Sequence, residues 1–151
     1  MLSPTPTDSE LVSAMQWFRR SAEEGYAPAE YMYGGFFREG RWENPKQLVY
    51  WWTQAAEQGN IYAQLWLGVF YERGRNGVKR DYVEAFKWLS MAAKQERPDA
   101  QVTLGQMYEN GEGVQQDYKL AAHWSQFLCR TPPTRILPSR ALLSFVGVLR
   151  G

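Results

Sequence analysis

Hydrophobic residues between positions 82 and 94 recur at the spacing of one face of an α-helix. They stand at i, i+3, i+4 and i+7, which produces one apolar stripe when a turn contains 3.6 residues. The stripe consists of Ala85, Trp88, Leu89 and Ala92. The alternation of a β-strand would send these residues to both faces of a sheet. The segment is therefore predicted to be an amphipathic helix with this stripe in the core.

The same pattern returns along the chain at a nearly constant period. Trp17, Trp51, Trp88 and Trp124 are separated by 34, 37 and 36 residues. Small residues follow the tryptophans in register: Ala29, Ala63 and Ala100, then Gly34, Gly68 and Gly105, then Gly40, Gly74 and Gly111. A period of this length with small residues in register is typical of stacked helical repeats. The recurring tryptophans are therefore predicted to be core residues.

Each repeat is predicted to contain two antiparallel helices. The first helices begin after Asn44, Asp81 and Asp117, which are N-cap residues seven positions before a tryptophan. The second helices span about residues 28–39, 61–73 and 99–110. Their alanines and central glycines allow neighbouring helices to approach closely, and Gly40, Gly74 and Gly111 are predicted to end them. The units are about 8–43, 44–80, 81–116 and a partial 117–129.

Two segments resemble a known family, the Sel-one-like repeats, which are related to the tetratricopeptide repeats. They read GRNGVKRDYVEAFKW and GEGVQQDYKLAAHW, and the resemblance covers about residues 11–128. It implies an all-α fold, an α/α right-handed solenoid of about three and a half two-helix repeats. It also implies an adaptor or scaffold whose concave face is lined by the first helices. The first unit departs from the pattern, since the loop after Gly40 is shorter and Leu48 replaces an alanine.

Composition narrows the functional classes further. Lysine and arginine total 17 against 16 acidic residues, so no global field favours nucleic acid or anionic lipid as a partner. The single cysteine, Cys129, cannot form an intramolecular disulfide, which favours a reducing compartment. The opening residues MLSPTPTDSE show no secretory signal pattern. A cytoplasmic protein without a membrane span is the expectation.

The segment 130–151 breaks the repeat period. RTPPTRILP contains three prolines, and SRALLSFVGVLR is predicted to form a short helix that begins after Ser139. This C-terminal capping segment is expected to cover the exposed apolar face of the last repeat. A basic amphipathic anchor for a membrane or partner, or a poorly structured appendage, are the alternatives.

Candidate catalytic residues are few. His123 and Cys129 are six residues apart, which turns them to different faces of a helix and argues against a nucleophile pair. Gly111 and Gly113 lack the strand and lysine of a phosphate loop. Glu72 and Glu109 occupy equivalent repeat positions, which favours a helix end over an acid and base pair. No catalytic site, metal site or cofactor is therefore predicted.

Two other groups of residues are candidates for surface contacts. Arg73, Arg75, Lys79 and Arg80 form a basic loop, which is interpreted either as a solvated turn or as a site for an anion or an acidic partner segment. Trp42, Trp52 and Trp66 fall outside the recurring set. They are predicted to be exposed contact residues, with at least one of them packed inside.

The predicted function is a non-catalytic interaction module that binds a peptide or helix in the groove of the first helices. If the recurring stripe is buried, the residue before each tryptophan and residues three or four places from it face the groove. The candidate binding residues are Gln47, Tyr50, Gln54, Glu84, Lys87, Met91, His123 and Phe127. Tyr50 is the preferred anchor. The alternatives are a module that binds a small ligand or glycan, and a self-assembling structural module; partner identity and oligomeric state stay open.

Overall fold

The computed structural model describes residues 7–126 and folds them into seven α-helices, with no β-strand in that range. The helices are α1 (Asp8–Glu23), α2 (Ala27–Gly35), α3 (Pro45–Glu57), α4 (Ile61–Arg73), α5 (Tyr82–Lys94), α6 (Pro98–Asn110) and α7 (Tyr118–Ser125). Each helix packs against its neighbours in chain order. The predicted all-α solenoid is confirmed. The candidate Phe127, the lone Cys129 and the tail 130–151 lie outside the described residues.

The predicted caps position the first helices. The Asn44 side chain accepts a hydrogen bond from the Gln47 backbone N–H at 3.3 Å. Asp81 accepts from the backbone N–H groups of Val83 and Glu84. Asp117 makes the same pair of contacts at the start of α7. The three caps supply partners for N–H groups that have no acceptor inside the helix, as the sequence predicts.

Two of the three predicted helix ends are confirmed, and one is wrong. Gly74 and Gly111 adopt left-handed backbone conformations directly after α4 and α6. Gly40 instead opens a short 3₁₀ helix, Gly40–Trp42, and α2 already ends at Gly35. Adjacent Gly34 and Gly35 weaken the helix there, since each glycine costs about 1 kcal/mol relative to alanine.

The glycines inside the second helices receive side chains from the following unit. A Cβ atom at Gly68 would lie 2.4 Å from Leu89 Cγ, and one at Gly34 would lie 2.5 Å from Trp52 Cδ1. At Gly105 it would meet Ser125 Oγ at 3.2 Å. These glycines therefore allow consecutive units to approach closely, as predicted, and the packing between units is more extensive than the packing within them.

The burial predicted for the recurring tryptophans is confirmed for Trp88 and wrong for Trp17. Trp88 is 2% exposed, Trp51 and Trp124 are half-buried, and Trp17 is 69% exposed. The recurring tryptophans Trp51, Trp88 and Trp124 each pack on the core of the unit before their own: Trp88, for example, joins the cluster around Leu48. Trp17 stands on the first described helix, and no other described unit precedes it.

The tryptophans outside the recurring set are predicted to be exposed, with at least one of them packed inside, and Trp52 is the one that is buried. Trp52 is 1% exposed, because it occupies the repeat position of Leu89 and enters the space that Gly34 leaves open. Its indole N–H donates to the Tyr31 carbonyl at 2.9 Å. Trp42 and Trp66 are half-buried. Trp52 is therefore the member of the set that packs inside.

In each second helix, the residue directly after the repeated alanine is polar and buried. Gln64 is 1% exposed, donates to the Ala56 carbonyl at 2.9 Å and accepts from Gln95 Nε2 at 2.8 Å. Gln101 repeats the donor contact with a carbonyl of α5. Glu30 occupies this position in the first unit, is 3% exposed and accepts from Gln58 Nε2 at 2.8 Å. Burial raises the pKa of the Glu30 carboxyl.

Candidate functional site

The residue before each of three recurring tryptophans lies on the indole that follows it. The Tyr50 and Trp51 rings meet edge to face with centroids 5.0 Å apart. Lys87 Nζ lies 4.4 Å from the centroid of the Trp88 ring, and the His123 ring meets Trp124 at 5.4 Å. All three side chains are exposed. We call Tyr50, Lys87 and His123 the tryptophan-capping row.

Polar candidates four positions before two tryptophans hold the indole N–H groups. Gln47 Oε1 accepts from Trp51 Nε1 at 3.2 Å, and Glu84 Oε2 accepts from Trp88 Nε1 at 3.1 Å. Glu84 also pairs with Lys87 at 3.5 Å. These contacts orient the indoles and leave the tryptophan-capping row at the surface.

The remaining described candidates are less accessible. Gln54 and Met91 are both half-buried, and Met91 packs against the core cluster of the second unit. Tyr50, by contrast, is 54% exposed. The row therefore supplies the side chains of this set that are best placed to reach a partner.

A cleft that the sequence does not predict lies beside Tyr50. Its volume is about 630 Å³, and it opens between the start of α3 and the basic loop, residues 73–80. Helix α3 contributes Lys46, Val49 and Tyr50, and the loop contributes Val78, Lys79 and Arg80. We call this feature the α3 cleft. The basic run of the loop is its signal in the sequence, but the proximity of the loop to α3 arises from tertiary packing.

The charges around the α3 cleft are mostly positive. Lys46 and Lys79 are exposed, and no ion pair involves either of them among residues 7–126. Arg80 lies over the Tyr82 ring at 5.8 Å, and Asp81 is occupied as the cap of α5. Burial, with the nearby carboxylates of Glu84 and Asp81, raises the pKa of the Tyr71 phenol. Tyr71 therefore faces the cleft as a neutral hydroxyl that can donate a hydrogen bond.

Three of the residues weighed for catalysis, His123, Gly113 and Glu72, lie close to neighbouring side chains or backbone. His123 Nδ1 lies 3.1 Å from Gln126 Nε2, and its ring rests on Trp124. A Cβ atom at Gly113 would lie 2.0 Å from the Tyr82 carbonyl oxygen, so close packing explains this glycine. Burial raises the pKa of Glu72, which lies 3.5 Å from Arg73. Within residues 7–126 no three His, Cys, Asp or Glu side chains cluster as a metal site requires.

None of the described helices is both long enough and apolar enough to cross a bilayer.

Comparison with solved structures places the chain among helical repeat proteins. A protective antigen of uropathogenic Escherichia coli, c5321, which displays an SLR fold, is 41% identical with a TM-score of 0.74 over 83% of this chain and 27% of that protein. A Sel1 repeat protein of Oxalobacter formigenes is 30% identical with a TM-score of 0.68, and the match covers 77% of this chain and 34% of that protein. The chain thus spans about a quarter to a third of their length.

A third structure shares the fold at lower identity. Cysteine rich protein B (hcpB) of Helicobacter pylori is 23% identical with a TM-score of 0.63, over 87% of this chain and 96% of that one. No curated protein sequence matches the chain significantly.

The profile of the Sel1 repeat family matches four segments, 4–26, 27–60, 61–96 and 98–130. Three of its boundaries precede second helices, so that α2 is grouped with α3, α4 with α5 and α6 with α7. These pairs are also the most extensively packed in the structure. The matched segments cover most of the chain, which therefore belongs to the Sel1 repeat family.

Proposed function

We propose that this protein is a non-catalytic scaffold that binds a peptide or helix across its first helices. Sel1 repeat proteins are in general interaction scaffolds and in general non-catalytic. The observation that carries the proposal here is the tryptophan-capping row. It repeats one geometry on α3, α5 and α7, with an exposed side chain held on a buried or half-buried indole.

The chemistry of the row suits a peptide partner. Its members are an aromatic ring, an ammonium group and an imidazole, each held by contact with a tryptophan. Side chains that are already ordered lose less conformational entropy when a partner binds. Aromatic anchors also dominate the binding energy of many protein interfaces. Tyr50, at 54% exposure, is the anchor that we expect to contribute most.

The double variant Tyr50→Ala with Lys87→Ala tests this proposal. Affinity capture from the source organism, with bound proteins quantified by mass spectrometry, should show partners that the intact chain retains and the variant loses. The unfolding free energy should change by less than about 1 kcal/mol, because both side chains are exposed.

The matched control is Tyr26→Ala with Lys94→Ala. It removes the same side chains at exposed positions away from the tryptophan-capping row. The control should keep the partners of the intact chain. Equal capture by both double variants would contradict the proposal, and a large stability loss for Tyr50→Ala with Lys87→Ala would identify these residues as core.

A further inference from the structure

We propose that the α3 cleft binds an acidic peptide segment, with an apolar side chain inserted between α3 and the basic loop and carboxylates on the rim. This inference rests on the proposed scaffold function and assigns one binding site and one partner chemistry to it. The cleft volume of about 630 Å³ suits a few side chains of an extended segment.

The cleft is preformed, because the basic loop is attached to the protein at several points. Asn76 Nδ2 donates to the Arg38 carbonyl. Gly77, with φ +72°, lies so close to Pro45 that a Cβ atom would be 2.7 Å from its Cγ. Val78 is buried in the core, and the Asp81 N–H donates to the Tyr71 carbonyl at 2.9 Å. A partner would therefore bind a loop that is already ordered, which reduces the entropic cost of association.

The inner surface and the rim differ in polarity. Val49 and the Tyr50 ring supply apolar surface inside the cleft. Lys46, Lys79 and Arg80 stand at its rim, while the neighbouring Asp81 carboxylate accepts two backbone N–H groups. Lys46 lies in the first turn of α3, and Lys79 and Arg80 lie just before α5. Helix N-termini carry partial positive charge, so these cations add to a field that attracts carboxylates.

The next unit has the same fold at this place but different chemistry. Gln115 and Gln116 replace Lys79 and Arg80 before the cap Asp117, and Val83 replaces Lys46. Gly113 packs against Tyr82 as Gly77 packs against Pro45. Two cations in this loop are therefore not required for the turn. Charge complementarity singles out the α3 cleft as the site for an acidic partner.

The test exchanges the loop chemistry between units. The variant Lys79→Gln with Arg80→Gln gives the loop the residues of its counterpart, so it should fold normally. The matched control Lys94→Gln with Lys119→Gln removes the same charge from exposed positions elsewhere. The probes are two sets of fluorescein-labelled 12-residue peptides with a central Leu, Phe or Tyr. One set carries Asp and Glu on both sides of that residue, and the other carries Ser and Asn.

Fluorescence anisotropy should show that the intact chain and the charge-matched control prefer the acidic set. The loop variant should bind that set about tenfold more weakly, as expected for two rim cations. Higher salt should weaken the binding as well. No preference for the acidic set, equal binding by the loop variant, or tighter binding of a single-stranded oligonucleotide of equal charge would overturn the inference.

The single variant Lys87→Ala separates this inference from the proposed function. Lys87 belongs to the tryptophan-capping row and does not line the α3 cleft. If Lys87→Ala reduces partner capture while the loop variant captures partners and binds acidic peptides like the intact chain, the scaffold function stands and the cleft assignment fails. If the loop variant alone loses the acidic peptides, the cleft assignment stands.

Discussion

The first and third units carry a tryptophan at the same repeat position, yet the two side chains have opposite surroundings. Trp88 is 2% exposed and Trp17 is 69% exposed. Both stand on a first helix, but α5 follows a complete unit and α1 does not follow any described unit. The indole of Trp88 lies against the core of the second unit. Burial in this solenoid is therefore a property of the junction between units.

The same comparison extends to the second helices of these units. In α2, Gly34 receives Trp52, while a Cβ atom at Gly35 would have no neighbour within 4 Å. In α6, Gly105 contacts α7 through Ser125, Ala121 and Trp124. The repeated glycine therefore has the same role in both units, which is to admit the following first helix, whereas Gly35 is outside the repeat pattern and has no such contact. This is expected when stability is a sum of repeat and interface contributions.

The largest expected effect is the contrast between the two tryptophans. Trp88→Ala should lower the unfolding free energy by about 3–5 kcal/mol, the cost of removing a large aromatic side chain from a core. Trp17→Ala should change it by no more than about 0.5 kcal/mol, as is usual at exposed positions. Urea denaturation followed by far-UV circular dichroism measures both. Similar losses for the two variants would show that burial at the junction does not set the stability.

The glycines provide a smaller effect with opposite signs. Gly68→Ala should lower the unfolding free energy by about 1–3 kcal/mol, because its Cβ would overlap Leu89, which is fully buried. A Cβ atom at position 35 would have no neighbour within 4 Å, so Gly35→Ala should raise the unfolding free energy by about 0.5–1 kcal/mol through helix propensity. Thermal and urea unfolding of the two variants, side by side, test the pair. Stabilisation by Gly68→Ala would mean that α4 and α5 are not in close contact.

Much of the fold can be predicted from the sequence because its determinants are local. Asn44, Asp81 and Asp117 bond to backbone groups two or three residues away, and the apolar stripe of α5 needs only helical geometry. The exposure of Trp17 is not predictable in this way. A tryptophan in register has the same local sequence signal whether or not a preceding unit covers it.

The candidate site can likewise be predicted from the sequence only in part. The tryptophan-capping row follows from helical spacing, so Tyr50, Lys87 and His123 are predicted as surface residues and lie at the surface. Their role in binding stays a prediction. The α3 cleft depends on Gly77 packing against Pro45, 32 positions earlier, and on Tyr71 reaching the same space. Gly77 and Tyr71 recur in the next unit as Gly113 and Tyr108, so they mark the repeat and not a cleft. Only the basic run of the loop distinguishes this place in the sequence.

The smallest expected effect concerns the buried polar position of the first unit. Glu30 stands where Gln64 donates to a first-helix carbonyl, and an ionised carboxylate cannot donate. Glu30→Gln should restore that donor and raise the unfolding free energy at pH 7 by about 1 kcal/mol. Urea denaturation across a pH series measures the gain for this variant against the intact chain.

The pH dependence distinguishes this explanation from a general gain in packing. Burial raises the pKa of the Glu30 carboxyl in the folded state above its ordinary value of 4.5, which applies to the unfolded state. At a pH between these two pKa values, the folded state therefore binds the proton more tightly than the unfolded state. The stability of the intact chain should therefore fall as the pH rises through this window and stay level above it. Glu30→Gln should lose that contribution, while Gln64→Glu should be destabilised at neutral pH and recover on acidification. A gain from Glu30→Gln that is the same at pH 4 and pH 7 would exclude the carboxylate charge as its cause.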